Sequence, residues 1–145
     1  MEDSIEKLMF EEHSTIKKIL EYYEELVNSN LPKANEQFSK FKWVLEKHFF
    51  VEEKAIFVLL NKIRGEEQIS DIFNLMQEHG SILELVNNIE EGLKNNVKPN
   101  ITGLKMILSR HANFEDAVFY PNLDQLLNQQ QKEEIIERVK EVIQF

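Results

Sequence analysis

Apolar residues recur every three or four positions along most of the chain. This spacing is the period of an α-helix, whereas a half-buried strand alternates every two residues. The pattern forms four long segments, and the breaks between or after them fall at residues that interrupt helices: Pro32, Gly65, Pro99 and Pro121. We therefore predict an all-α protein.

The breaks and the capping residues predict the bounds of four helices. In chain order these bounds are Ser4 to Asn28 with Asp3 or Ser4 as N-cap, Pro32 to near Gly65, a third helix capped by Ser70 or Asp71, and Thr102 to Pro121. Long helices joined by short connections are typical of an up-down-up-down four-helix bundle. The sequence predicts that architecture.

Helical spacing resumes after Pro121. The apolar positions of this tail are Ile135, Ile136, Val139, Val142 and Ile143. We expect a short fifth helix that docks on the bundle, because an exposed segment would not keep such an apolar face. The length suits one domain with a proper core, so residues 1–145 are predicted to form a single domain.

Charge and composition exclude several classes of protein. The formal net charge of −9 disfavours nucleic-acid binding, because phosphate backbones repel an acidic surface. The chain has no cysteine, which excludes disulfides, thiolate zinc sites and cysteine-ligated clusters. The first residues are acidic rather than basic, and no apolar run is long enough to span a membrane. We expect a cytoplasmic protein with no membrane partner.

The chain has four histidines, and each lies on the apolar stripe of a different predicted helix: His13, His48, His79 and His111. Two of these stripes also carry a glutamate one turn further on. The stripe of the fourth helix, for example, is predicted to read Leu104, Leu108, His111, Glu115 and Val118.

The two glutamates, Glu52 and Glu115, follow His48 and His111 by four residues. Side chains at that spacing lie on one helix face, so each pair points an imidazole and a carboxylate into the bundle. A buried carboxylate needs a partner, and these stripes contain no lysine or arginine. The pattern predicts a cation site. A set of hydrogen-bonded core histidines is the alternative interpretation.

Four imidazoles and two carboxylates are too many ligands for one tetrahedral zinc ion and suit two metals bridged by the carboxylates. Nitrogen and oxygen donors without thiolate favour iron, manganese or zinc, and we expect iron. The predicted metal ligands are His13, His48, Glu52, His79, His111 and Glu115.

Four motifs in this order resemble the hemerythrin-like HHE cation-binding domains over essentially the whole chain. They are Glu12-His13, the segment His48 to Phe57, Glu78-His79-Gly-Ser-Ile, and the segment His111 to Pro121. The resemblance implies two iron ions (Fe2+/Fe3+) with an oxo or hydroxo bridge. His13 and His48 would bind one iron, His79 and His111 the other, and Glu52 and Glu115 would bridge them.

The chain departs from the long-known oxygen carriers of this family at Leu75, where those proteins have a second histidine on the third helix. A smaller departure is that the carriers' bridging aspartate corresponds to Asp116. We expect Glu115 to be the ligand and Asp116 to turn towards solvent. Four neighbouring carboxylates are also expected to be solvated, and the large polar aromatics to be core or interface residues. These are Glu11, Glu12, Glu53 and Glu78, and Trp43, Tyr22, Tyr23 and Tyr120. The alternative for the tyrosines is that one of them reaches the iron that lacks a ligand.

Three functions follow from this interpretation. The first is binding or sensing of dioxygen, or of nitric oxide or peroxide, in a site that nearby phenylalanines shield from water. Those phenylalanines are Phe10, Phe49, Phe50 and Phe114. The second is a redox enzyme or an iron donor for iron–sulfur repair, which the missing ligand at Leu75 favours. The third is an iron-responsive bundle that binds a protein partner.

Overall fold

The computed structural model describes residues 4–60, 62 and 66–143, and the side chains of all of these except 66–68. This part of the chain is helical and contains no strand. Five helices result, of which α2 and α4 each contain a π-helical segment. They are α1 (Ile5–Leu26); α2 (Leu31–Val51, π-helical Glu52–Phe57, and Val58–Leu60); α3 (Glu66–Lys94); α4 (Thr102–Phe114, π-helical Glu115–Phe119, and Tyr120–Leu126); and α5 (Gln129–Ile143). The all-α prediction is confirmed.

The first four helices contact one another in a closed order, with α1 on α2, α2 on α3, α3 on α4 and α4 on α1. Their buried residues form two apolar clusters. One contains Ile5, Met9 and Phe57, and the other contains Ile16 and Phe41. On α1, His13 lies between the two clusters, so the predicted site occupies a layer between them. The alternating direction of the helices stays a prediction.

Capping residues explain where the first two helices begin. The Ser4 side chain accepts a hydrogen bond from the backbone N–H of Lys7, and Asn30 does the same for Lys33. Each bond satisfies one of the N–H groups that lack a partner in the first turn of a helix. The predicted N-cap Ser4 is confirmed.

Two predicted helix ends are wrong. Ser70 and Asp71 do not cap α3, which begins at Glu66. The helix extends back to Glu66 because the residues between Glu66 and Ser70 include no glycine or proline. Pro121 does not close α4, which continues to Leu126. This proline lies in the first turn after the π-helical segment, where a missing N–H is tolerated as at the start of a helix.

The π-helical segment of α4 also changes which side chains face the core. Val118 was predicted to point inwards but is 41% exposed, and Phe119 is buried in its place. A π-helix bonds each N–H to the carbonyl five residues back, so it adds one residue to the turn and shifts the inward face by one position. The Tyr120 N–H, which bonds to the Glu115 carbonyl, has this spacing.

The predicted fifth helix is present as α5, and its apolar residues pack on the bundle. Ile135 and Val139 are buried in the same cluster as Ile5 and Phe57. The contacts of α5 are with α1, with Leu31–Val51 of α2 and with the adjoining π-helical segment. The tail therefore covers the end of the bundle. No helix in the described ranges has the length and apolar character needed to cross a membrane.

We expect Ile135→Ala to lower the free energy of unfolding by about 2–5 kcal/mol, because the substitution leaves a cavity in a packed core. Urea denaturation of the metal-free protein measures this change. The matched control is Glu137→Ala on the exposed face of α5, which should stay within about 0.5 kcal/mol of the parent. Equal effects of the two substitutions would show that α5 does not dock.

Candidate metal centre

The six residues predicted as metal ligands come together in the layer between the two apolar clusters. They form two overlapping groups, and within each group one nitrogen or oxygen atom per residue lies within 4.8 Å of the others. Both glutamates belong to both groups. The groups are His13, His48, Glu52 and Glu115, and Glu52, His79, His111 and Glu115.

Helical spacing places each glutamate beside the histidine one turn before it. The His48 Nε2 atom lies 3.3 Å from Glu52 Oε1, and the His111 Nε2 atom lies 3.4 Å from Glu115 Oε1. Glu52 and Glu115 are also the first residues of the two π-helical segments. Turns of this kind are frequent at functional sites. Apolar periodicity does not reveal them, so the sequence analysis missed both.

The atoms that face the middle of this layer have no hydrogen-bond partner among the described residues. They are the Nε2 atoms of all four histidines, Oε1 of Glu52 and both carboxylate oxygens of Glu115. The glutamates are fully buried and the histidines are at most 10% exposed. Unpartnered buried polar atoms are costly and rare. Here they converge on common points, which is the arrangement of a ligand set for cations.

The outer nitrogen of each histidine has a partner. Each Nδ1 atom lies at hydrogen-bond distance from a carboxylate of the neighbouring helix. The pairs are His48–Glu12 (3.2 Å), His79–Glu53 (2.9 Å), His111–Glu78 (2.7 Å) and His13–Asp116 (2.8 Å). We call the four carboxylate residues of these pairs the carboxylate ring.

The carboxylate ring determines which nitrogen of each histidine carries the lone pair that faces the centre. An ionised carboxylate only accepts hydrogen bonds, so Nδ1 carries the proton and donates it, and in the neutral imidazole Nε2 is left with a lone pair. That lone pair faces a carboxylate oxygen, for example at 3.0 Å between His79 Nε2 and Glu52 Oε1. Two electron-rich atoms at this distance repel each other unless a metal ion or a further proton lies between them. The residues therefore fit a metal.

The ring corrects the expectation that its members are solvated. Glu12, Glu53 and Glu78 are partly buried and bond to histidines, and Asp116 is only 21% exposed and bonds to His13. Glu11 is exposed, in line with the expectation. Helical spacing describes one helix at a time, whereas these side chains extend sideways to the next helix.

The two buried glutamates have opposite pKa shifts. Burial raises the pKa of Glu115 well above its usual value, and the charge of Glu52 raises it further. Burial also opposes the charged form of Glu52, but the positive charge of protonated His48 and the close contacts with Glu115 and His79 outweigh burial and hold the pKa of Glu52 well below its usual value. Without metal, Glu52 is thus the charged carboxylate of the pair, and Glu115 is the one that retains a proton more readily.

Tyr120 donates a hydrogen bond to Oε2 of Glu52 and is fully buried. Burial raises the pKa of its phenol well above the usual value, and the charges of Glu115 and Glu52 add to this effect. The hydroxyl therefore stays protonated and occupies one oxygen of Glu52. Tyr120 was expected to be a core or interface aromatic, and it lies in the core.

The apolar surroundings differ in part from the prediction. Phe49 is buried and stacks on the His79 ring with the ring centroids 3.9 Å apart, and Phe114 packs against an apolar cluster. Phe10 and Phe50 are more than half exposed, so they do not shield the centre as expected. Leu75 is buried in an apolar cluster.

Comparison with known proteins agrees with this geometry. The model of the family described as the hemerythrin HHE cation-binding domain matches residues 4–123, which include all six converging residues and the carboxylate ring. No curated protein and no solved structure matches the chain. The family match covers most of the chain, and the chain belongs to the hemerythrin HHE cation-binding domain family.

Proposed function

We propose that this protein holds two iron ions and uses them to bind dioxygen or a related small molecule such as nitric oxide or peroxide. The observation that carries the proposal is the convergence of seven unpartnered buried atoms from His13, His48, Glu52, His79, His111 and Glu115 on two overlapping points. Membership of a cation-binding family supports it.

The overlap of the two groups supports two metals. Each group contributes two imidazoles of its own, His13 and His48 or His79 and His111, and both groups share the two glutamates. Shared carboxylates that join two metals account for this arrangement better than a single ion does. Imidazole and carboxylate donors without sulfur favour iron among the metals that such sites hold.

The two glutamates contribute differently to this arrangement. Tyr120 holds Oε2 of Glu52, so Glu52 offers Oε1 to the metals, whereas both oxygens of Glu115 are unpartnered. We infer that Glu115 would offer both oxygens to the metals and that Glu52 would offer Oε1. The carboxylate ring keeps each imidazole in the orientation and tautomer that a metal requires.

When bound, a pair of ferrous ions would supply electrons to dioxygen. The chain contributes a layer between two apolar clusters, in which Phe49 stacks on the His79 ring. A second function, turnover of peroxide or nitric oxide, is favoured by Leu75, which supplies an apolar side chain where the oxygen carriers have a further histidine. Fewer protein ligands leave more positions for reacting molecules.

We expect Glu52→Gln to lower the iron content from two ions per chain, because a neutral amide no longer joins the two groups. His79→Ala should also lower it, by loss of one imidazole. Iron content after anaerobic reconstitution, with a visible spectrum before and after exposure to air, measures both effects. Glu46→Gln, on the exposed face of α2, is the control. Two ions per chain in Glu52→Gln would refute the bridging assignment.

Metal binding should release protons, and its apparent affinity should rise with pH. Because the pKa of Glu115 is raised, the metal-free protein holds a proton there at pH values below that pKa, and the metal displaces this proton. Affinity should therefore increase up to the raised pKa and level off above it. Titration with Fe2+ in weak buffer, followed by a pH indicator, counts the protons. In Glu115→Gln the released count should fall, and an unchanged count would contradict this origin.

Removing one acceptor of the carboxylate ring should weaken metal binding without changing its stoichiometry. We expect Glu78→Gln, which leaves His111 without its charged partner, to lower affinity about 10–100-fold. Competition with a chelator measures the affinity. The control on the same helix is Glu84→Gln, whose side chain is exposed. If both variants bind iron like the parent, the ring does not orient the ligands.

A further inference from the structure

One outer face of α3 carries exposed apolar side chains. Ile69, Phe73 and Met76 are 41%, 60% and 44% exposed, and Gly80 follows them at the same helical spacing. Residues separated by three or four positions lie on one face of a helix, so these four form a strip about 16 Å long, given a rise of about 1.5 Å per residue. We call them the α3 strip. Exposed apolar residues that are contiguous, rather than scattered singly, indicate an interaction surface.

Nothing inside the chain requires a glycine at position 80. The φ angle of Gly80 lies outside the left-handed region, and a Cβ atom placed on it would meet no atom within 4 Å. Glycine is less favourable than alanine in the interior of a helix, and one of its uses is to let another group approach the backbone closely. A group from a second molecule, packed against α3 at this point, would account for Gly80.

The α3 strip and its exposed polar neighbours are uncharged. These neighbours are Asn74, Gln77 and Ser81. The ionisable residues between positions 72 and 83 are Glu78 and His79, of which Glu78 bonds to His111 of α4 and His79 is buried. In a chain with a formal net charge of −9, this strip therefore offers no charge to a basic or an acidic partner. A second uncharged strip can pack on it without like charges in contact.

The order of large and small residues makes the α3 strip complementary to itself. Phe73 is large and exposed, whereas Gly80, two turns further on, has no side chain. In a two-fold symmetric interface, each contact of one residue with another occurs a second time with the two copies exchanged. If two α3 helices pack antiparallel with Met76 near the two-fold axis, Phe73 of each copy lies opposite Gly80 of the other. The phenyl ring then fills the space that the glycine leaves open.

We propose that this protein forms a two-fold symmetric dimer through antiparallel α3 strips, in which Phe73 of each copy packs against Gly80 of the other. A strip of about three helical turns covers less than the about 800 Å2 per partner of a standard interface, so the dimer forms reversibly. The occupant of this face is therefore a second copy of the chain. The inference goes beyond the proposed function and does not depend on a bound metal.

Sedimentation equilibrium of the full chain, from about 1 µM to about 1 mM, should show monomers in equilibrium with dimers. Gly80→Gln adds a large uncharged side chain at the closest approach and should raise the dissociation constant at least about tenfold. The control is Gly103→Gln on α4, at an exposed glycine whose added Cβ would also meet no atom within 4 Å. Monomers at every concentration, or equal effects of the two substitutions, would overturn the proposal.

Salt distinguishes a second copy from a basic partner. Two chains with a formal net charge of −9 each repel one another, and salt screens this repulsion. Dimerisation should therefore strengthen between about 0.05 M and about 0.5 M NaCl, whereas binding of a basic partner weakens over such a range. A dimer that weakens with salt would contradict an uncharged interface between copies.

Single cysteines test the pairing of the strips, because the chain has no cysteine of its own. A disulfide requires Cα atoms within about 7 Å of each other. Met76→Cys, near the two-fold axis, should give a disulfide-linked dimer on mild oxidation, detected by electrophoresis without reductant. Met106→Cys on α4, where the methionine is 69% exposed, should give far less. Equal or greater cross-linking of Met106→Cys would overturn the pairing.

Circular dichroism checks the fold of each variant. If Gly80→Gln does not fold, the two cysteine variants decide the proposal, because they leave Gly80 unchanged. Iron content is measured separately from dimerisation. A dimer that takes up no iron would support this inference and refute the proposed function, whereas a monomer that takes up two iron ions would have the opposite meaning.

Discussion

The structure depends on one polar layer that is buried between two apolar clusters. Four imidazoles and two carboxylates lie there, and both glutamates are fully buried. Burial of so many polar groups is unfavourable unless each atom has a partner. The outer nitrogens have carboxylate partners, and the inner atoms face one another without hydrogen bonds. A cation would satisfy the inner atoms, which would couple metal binding to folding in this layer.

The carboxylate ring joins the four helices in a closed order. Glu12 extends from α1 to α2, Glu53 from α2 to α3, Glu78 from α3 to α4, and Asp116 from α4 back to α1. The first and third helices use the residue before their histidine, and the second and fourth use the residue after their glutamate. The arrangement of ring residues in α1 and α2 is therefore repeated in α3 and α4. The ring holds neighbouring helices in register and leaves Nε2 free for a metal.

The sequence predicted the helices and the converging residues well, because both depend on spacing along single helices. The N-cap Ser4, the buried residues Ile135 and Val139, and the pairing of His48 with Glu52 follow from period and capping alone. The errors have a different origin. The inward position of Val118 and the helix end at Pro121 were predicted wrongly, because the π-helical segment before Tyr120 changes the helical period. The apolar pattern of a sequence does not indicate such a change.

The sequence by itself determined that the protein is helical and that its histidines, with two glutamates, face inwards. The reason is that the helical period places residues three and four apart on one face. Only the tertiary structure decided which carboxylate bonds to which histidine. It also decided that Tyr120 donates a hydrogen bond to Glu52. These features depend on contacts between helices, which spacing along one helix does not specify.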